Sequence, residues 1–128
     1  VFAKILSVCF AEDRIVHLEI DEHSHAPSRT SECEIKKADS AGWGVSSEHL
    51  PTVIVRFNPN EYDKRRISLD RRCDALVSKL NELFRCDMRG FSPLGTNIIY
   101  MYYHTNAQHH IEAAKNASGS LKVIDIIE

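Results

Sequence analysis

Apolar residues along the chain gather in short blocks, and the spacing inside each block decides which element it predicts. AKILSVCF (3–10) and RIVHLEID (14–21) are strand-length runs on either side of Ala11, Glu12 and Asp13, which predicts a β-hairpin. Ser31 followed by Glu34 is a capping box heading a short helix that Gly42 ends, with Glu34, Lys37 and Ala38 on one side. PTVIVRFN (51–58) is the clearest buried strand, bounded by Pro51 before it and Asn58-Pro59 after it. From Ser68 to Phe84, Leu69, Cys73, Leu76, Val77, Leu80 and Leu83 recur at three- and four-residue spacing and predict an amphipathic helix. RGFSPLGTN (89–97) reads as a turn-rich loop, NIIYMYY (97–103) as a strand, HIEAAKNA (110–117) as a short helix and LKVIDII (121–127) as a closing strand. This order predicts an α/β (α+β) fold, a mixed β-sheet core flanked by helices.

The second strand ends unusually, in LEIDEHSH (18–25). Strand side chains alternate between faces, so Glu19 and Asp21 share one face while Leu18 and Ile20 share the other. Two carboxylates so close are costly unless a metal ion, a basic side chain or a proton lies between them. Arg56 and Asn58 alternate onto one face of the strand expected alongside. An arginine in so apolar a run needs an acid partner or a covering ligand. An ion pair to Glu34 or Glu19 and a contact to phosphate are the two readings. The plain alternative for Glu19 and Asp21 is a solvated strand end on an interaction module.

Length and composition narrow the classes. The 128 residues make one domain with a formal charge of −2, so global charge does not announce a nucleic-acid binder. The basic residues are nevertheless clustered: Lys64, Arg65, Arg66, Arg71 and Arg72 open the long helix, beside backbone N–H groups that favour anions. That surface reads either as solvated or as contacting phosphate. Cys9, Cys33, Cys73 and Cys86 form no C-x-x-C pair, which argues against a zinc ribbon and for reduced thiols in an intracellular protein. His23, His25 and Cys33 fit no common four-ligand zinc spacing. Trp43 is expected in the core, with base stacking as the alternative, and His109-His110 are expected to be solvent-exposed. No apolar run has the length to span a bilayer, so no membrane is expected. The chain begins Val1-Phe2 with no methionine, and is expected to be lacking or altered at its N-terminal end.

Three blocks in order, LEIDEHSH, then Cys33-Glu34-x-x-Lys37, then PTVIVRFNPNEY, resemble the restriction-endonuclease-like PD-(D/E)XK superfamily. The likeness is to the branch related to very-short-patch repair endonucleases, in the form carried by large DNA viruses and some protists. NIIYMYYH resembles a later strand of that family. The resemblance spans roughly residues 15 to 104 and implies a Mg²⁺-dependent DNA endonuclease, with Mn²⁺ as substitute. It implies that Glu19 and Asp21 hold the metal, that His25 acts as proton donor, acceptor or ligand, and that Glu34 is the supporting helix acid. Lys37 stands where the family has an arginine, which keeps the charge but loses the forked grip. Lys37 and Arg56 would contact phosphate, and Asn58, Lys64, Arg65 and Arg66 complete the expected DNA-binding set.

One departure bears on activity. The family places a first aspartate on the preceding hairpin strand, where this chain has Leu6-Ser7, and Glu12 and Asp13 fall in the turn. A metal held by one fewer carboxylate binds more weakly. The resulting expectation is an endonuclease with degraded catalysis or, as the alternative, a non-catalytic nucleic-acid-binding domain of the same fold.

Overall fold

In the computed structural model, residues 4–10, 13–21, 50–93, 95–117 and 121–128 are described. The two opening runs form the hairpin: β1 (Lys4–Phe10) pairs antiparallel with β2 (Ile15–Ile20). From β2 onward every pairing is parallel, through β3 (Thr52–Phe57), β4 (Thr96–Met101) and β5 (Leu121–Ile127), in the spatial order β1-β2-β3-β4-β5. All six residues of β3 and all six of β4 are buried. Both strands are covered on both faces, which is why they read as continuous apolar runs rather than as alternation.

Among the described residues two α-helices provide the cover. α1 (Leu69–Arg85) begins where Ser68 accepts a hydrogen bond from the Arg71 N–H at 3.3 Å, and Asp70 and Arg85 sit at the ends the helix dipole favours. Its Leu76 and Leu83 pack on Val16, Val53, Val55, Phe57, Ile99 and Met101, one face of the sheet. α2 (Gln108–Asn116), entered through a 3-10 turn at Thr105–Ala107, lays Ile111 and Ala114 on the other face, against Ile54, Ile98, Tyr100 and Leu121. The fold is therefore α/β, a mixed sheet flanked by helices. No helix among the described residues is long and apolar enough to cross a membrane.

Some boundaries differ from expectation for identifiable reasons. β4 starts at Thr96, one residue early, because the Asn97 amide donates to Thr52 O and Ser92 O while its carbonyl accepts from Ser92 N, fastening the preceding loop to the strand. It stops at Met101, because Tyr102 takes a positive φ of 61°. His110, expected in solvent, is only 3% exposed and belongs to the buried side of α2, while His109 is exposed. The helix expected between Ser31 and Gly42, and Trp43, lie outside the described residues.

Candidate functional site: a buried acid pair bridged by arginine

Alternation along β2 puts Val16, Leu18 and Ile20 toward α1, leaving His17 and Glu19 on the α2 face, with Asp21 following in the same phase. Parallel register then aligns His17 with Ile54, and Glu19 with Arg56 and Tyr100 across β3 and β4. The ladder continues one step beyond β2, where the Asp21 N–H donates to Phe57 O at 2.9 Å. The acid pair thus lies at the C-terminal end of β2, beside Arg56 near the same end of the parallel strand β3, the edge where open α/β sheets usually place their ligand sites.

Neither acid is solvated. Glu19 is 3% exposed and Asp21 1%, so the expectation of a solvated strand end is corrected. A single nitrogen of Arg56, Nη2, lies 3.2 Å from Glu19 Oε1 and 3.3 Å from Asp21 Oδ2, and Arg56 itself is 1% exposed. Burial alone would disfavour the guanidinium charge, but Tyr103, Asp21 and Glu19 outweigh it and hold the pKa well above its ordinary value. The Tyr100 ring adds a cation–π contact, its centroid 5.9 Å from Arg56 Cζ.

Tyr103 closes the cluster by donating its hydroxyl hydrogen to Asp21 Oδ2. Burial, reinforced by the Asp21 charge and opposed by Arg56, pushes the phenol well above its usual range, so this proton stays on Tyr103. Its presence here depends on a break in alternation. Tyr100 faces α2 and Met101 faces α1, so strict alternation would send Tyr103 to the α1 side. The left-handed backbone at Tyr102 reverses the phase: Tyr102 joins Phe57 and Tyr62 on the α1 side, and Tyr103 returns to the face of Asp21. A non-glycine residue held there stores about 1–3 kcal/mol of strain.

His17, two residues before Glu19, is fully buried, and neither of its ring nitrogens has a hydrogen-bond partner among the described residues. Burial lowers its pKa, while Glu19 pulls in the opposite direction. The ring is therefore a neutral member of the core at pH 7.

The other expected site residues divide sharply. Asn58 is wholly buried, and its amide donates to Tyr102 O at 2.9 Å and Glu61 O at 3.1 Å while its carbonyl accepts from Asn60 N at 3.0 Å. It organises the loop after β3. Arg72 supports the same loop from α1, donating to Asn58 O and Asn60 O at 3.1 and 3.0 Å. Lys64 pairs with Glu128 at 2.6 Å, and Arg65 donates to Glu128 O at 3.1 Å. Arg66 and Arg71 are exposed, with no ion pair among the described residues. His25, Glu34 and Lys37 lie outside the described residues, as do His23 and Cys33.

Backbone register also locates the departure on β1. Ile5 stands opposite Glu19 and Ser7 opposite Leu18, so Leu6 is the extra residue of a bulge at the Glu19 rung. The rung where the resemblance expects an acid has none. Among the described residues, no group of three or more His, Cys, Asp or Glu is placed to hold a metal ion. Glu19 and Asp21 are the oxygen donors suited to a hard divalent cation, and in this arrangement Arg56 supplies the positive charge between them.

Tyr103 and His17 were not visible as site residues in the sequence. The H-x-E-x-D phase of β2 was the available signal for His17; for Tyr103 there was none, because one backbone angle decides it. No protein-family model matches the chain, and no curated protein or solved structure does either.

Proposed function

We propose that the chain is a restriction-endonuclease-like domain that hydrolyses DNA phosphodiesters with Mg²⁺, its site built on Glu19, Asp21 and Arg56. The observation that carries this reading is the convergence of two carboxylates and one guanidinium, within 3.3 Å, at the C-terminal ends of adjacent parallel strands. Acids that hold a hard cation beside a fixed positive charge are what hydrolysis of a phosphodiester through a dianion-like phosphorane demands. Glu19 and Asp21 would hold the ion, which when bound lowers the pKa of the attacking water and offsets charge on the phosphate. Arg56 keeps the acids in one geometry and provides a charge for a phosphate oxygen. Tyr103 fixes the rotamer of Asp21 through its hydroxyl. The family resemblance implies roles for Lys37, His25 and Glu34 in the same chemistry, and the exposed Arg66 and Arg71 would offer basic contacts to the DNA backbone.

A second reading is favoured by a specific observation: Arg56 already satisfies both carboxylates, and the facing rung of β1 brings no third acid. On that reading the domain binds nucleic acid without cutting it. Nicking of supercoiled plasmid in Mg²⁺ or Mn²⁺, alongside salt-dependent DNA binding, separates the two. The enzyme reading expects nicking by the wild type that Asp21→Asn abolishes. Binding that survives Asp21→Asn with no nicking in either ion selects the second reading. No binding even at low salt removes both.

A further inference from the structure

Among the described residues, the large apolar side chains left exposed are Leu69 at 45%, Val77 at 58% and Phe84 at 38%, and all three lie on α1. With exposed Cys73 and half-buried Leu80 they follow one another at spacings of four, four, three and four residues, a single stripe beside the face that packs on the sheet. Scattered exposed leucines need no explanation, but an apolar stripe running the length of a helix marks a contact surface.

The stripe is self-complementary when reversed. Two copies of α1 laid antiparallel about Val77 set Leu69 against the second copy's Phe84 and Cys73 against its Leu80, while Val77 meets Val77. Beyond the stripe, one flank of the helix carries Asp70, Asp74, Asn81 and Arg85, all exposed. In an antiparallel pair like flanks face each other, so Asp70 meets the second copy's Arg85, and Asp74 meets its Asn81. Asp70 and Arg85 have no ion-pair partner among the described residues. We infer that the outer stripe of α1 is a two-fold interface that docks a second copy of this chain, antiparallel, helix to helix.

Charge complementarity selects this occupant. In a parallel pair Asp70 and Arg85 would lie at opposite ends of the seam and could not meet, whereas the antiparallel pair matches acid to base twice about the axis. The seam is about 25 Å long, from the 1.5 Å rise of a 17-residue helix, which places the dimer at the small end of stable interfaces. It lies on the α1 face of the sheet, opposite Glu19 and Arg56, so it stands or falls independently of the nuclease reading.

Sedimentation velocity of the full chain from low-micromolar to near-millimolar concentration tests the inference. The expected result is a concentration-dependent monomer–dimer equilibrium, abolished by Val77→Glu, a change at an exposed position that leaves helical circular dichroism unaltered. Asp70→Arg raises the dissociation constant about tenfold, because the symmetry repeats each charge pair, and adding Arg85→Asp restores it. Should Val77→Glu not fold, the charge reversals decide alone. A monomer at all concentrations overturns the inference, as does a dimer indifferent to Val77→Glu or a double reversal no better than Asp70→Arg.

Discussion

Replacing Arg56 with methionine removes the charge between Glu19 and Asp21 while keeping most of the side chain's volume. At 3.2 and 3.3 Å, and an effective dielectric of about 20, each contact is worth about 5 kcal/mol of attraction. Desolvating three ions costs several kcal/mol apiece, so the intact cluster is close to neutral for stability. Deletion is not neutral, because it leaves two carboxylates at 3% and 1% exposure facing an apolar group. The expected loss is about 3–5 kcal/mol, a large part of the roughly 5–15 kcal/mol that holds a domain folded. Urea unfolding followed by circular dichroism should move its midpoint down by roughly 2 M, at an m-value of about 2 kcal/mol/M. Arg56→Lys should lose much less, since one ammonium can stand where Nη2 now contacts both acids. An Arg56→Met variant within about 1 kcal/mol of wild type would refute the idea that this arginine holds the pair together.

Other expectations follow from the same contacts. Tyr103→Phe removes the hydroxyl that donates to Asp21 and should cost about 1–3 kcal/mol by urea unfolding, with slower nicking at unchanged DNA affinity. Arg14 donates from Nη1 to Leu83 O at 2.8 Å and Cys86 O at 2.7 Å, so Arg14→Met should cost about 2 kcal/mol and speed amide exchange in the last turn of α1. The lowered pKa of His17 means that the unfolded chain binds a proton the folded chain resists. Stability should therefore fall as pH drops from about 6.5 toward the folded value, by at most about 1.4 kcal/mol per pH unit, and His17→Leu should flatten that slope in unfolding curves taken between pH 5 and 7.

What was legible in the sequence was what local periodicity carries. The two-residue alternation of RIVHLEID placed Glu19 and Asp21 together, and VIVRFN placed Arg56 beside them, as the register bears out. Recurrence of Leu76, Leu80 and Leu83 predicted α1, whose bounds moved by a residue. Long-range contacts carry no such signature. Arg14 pairs with its neighbour Asp13, but nothing near it in the chain indicates its other partners, carbonyls at the far end of α1. The basic run looked uniform, yet Arg72 is a buried brace and Lys64 ties to Glu128, while Arg66 and Arg71 face solvent. Asn58 organises the loop after β3, because its three hydrogen-bond partners are Asn60 and Glu61 in that loop and Tyr102 just past the end of β4, contacts that no local pattern announces. Tyr103 was hidden by the one left-handed residue that reverses the phase of its strand.

The central claim is that the buried acid pair receives a divalent cation for phosphodiester cleavage. Titration of Mn²⁺ into the chain, followed by the loss of the free-ion paramagnetic resonance signal, tests it most directly. The account predicts a binding site in the wild type that Glu19→Gln weakens at least tenfold. Equal binding by the two forms, or none by either, would contradict it.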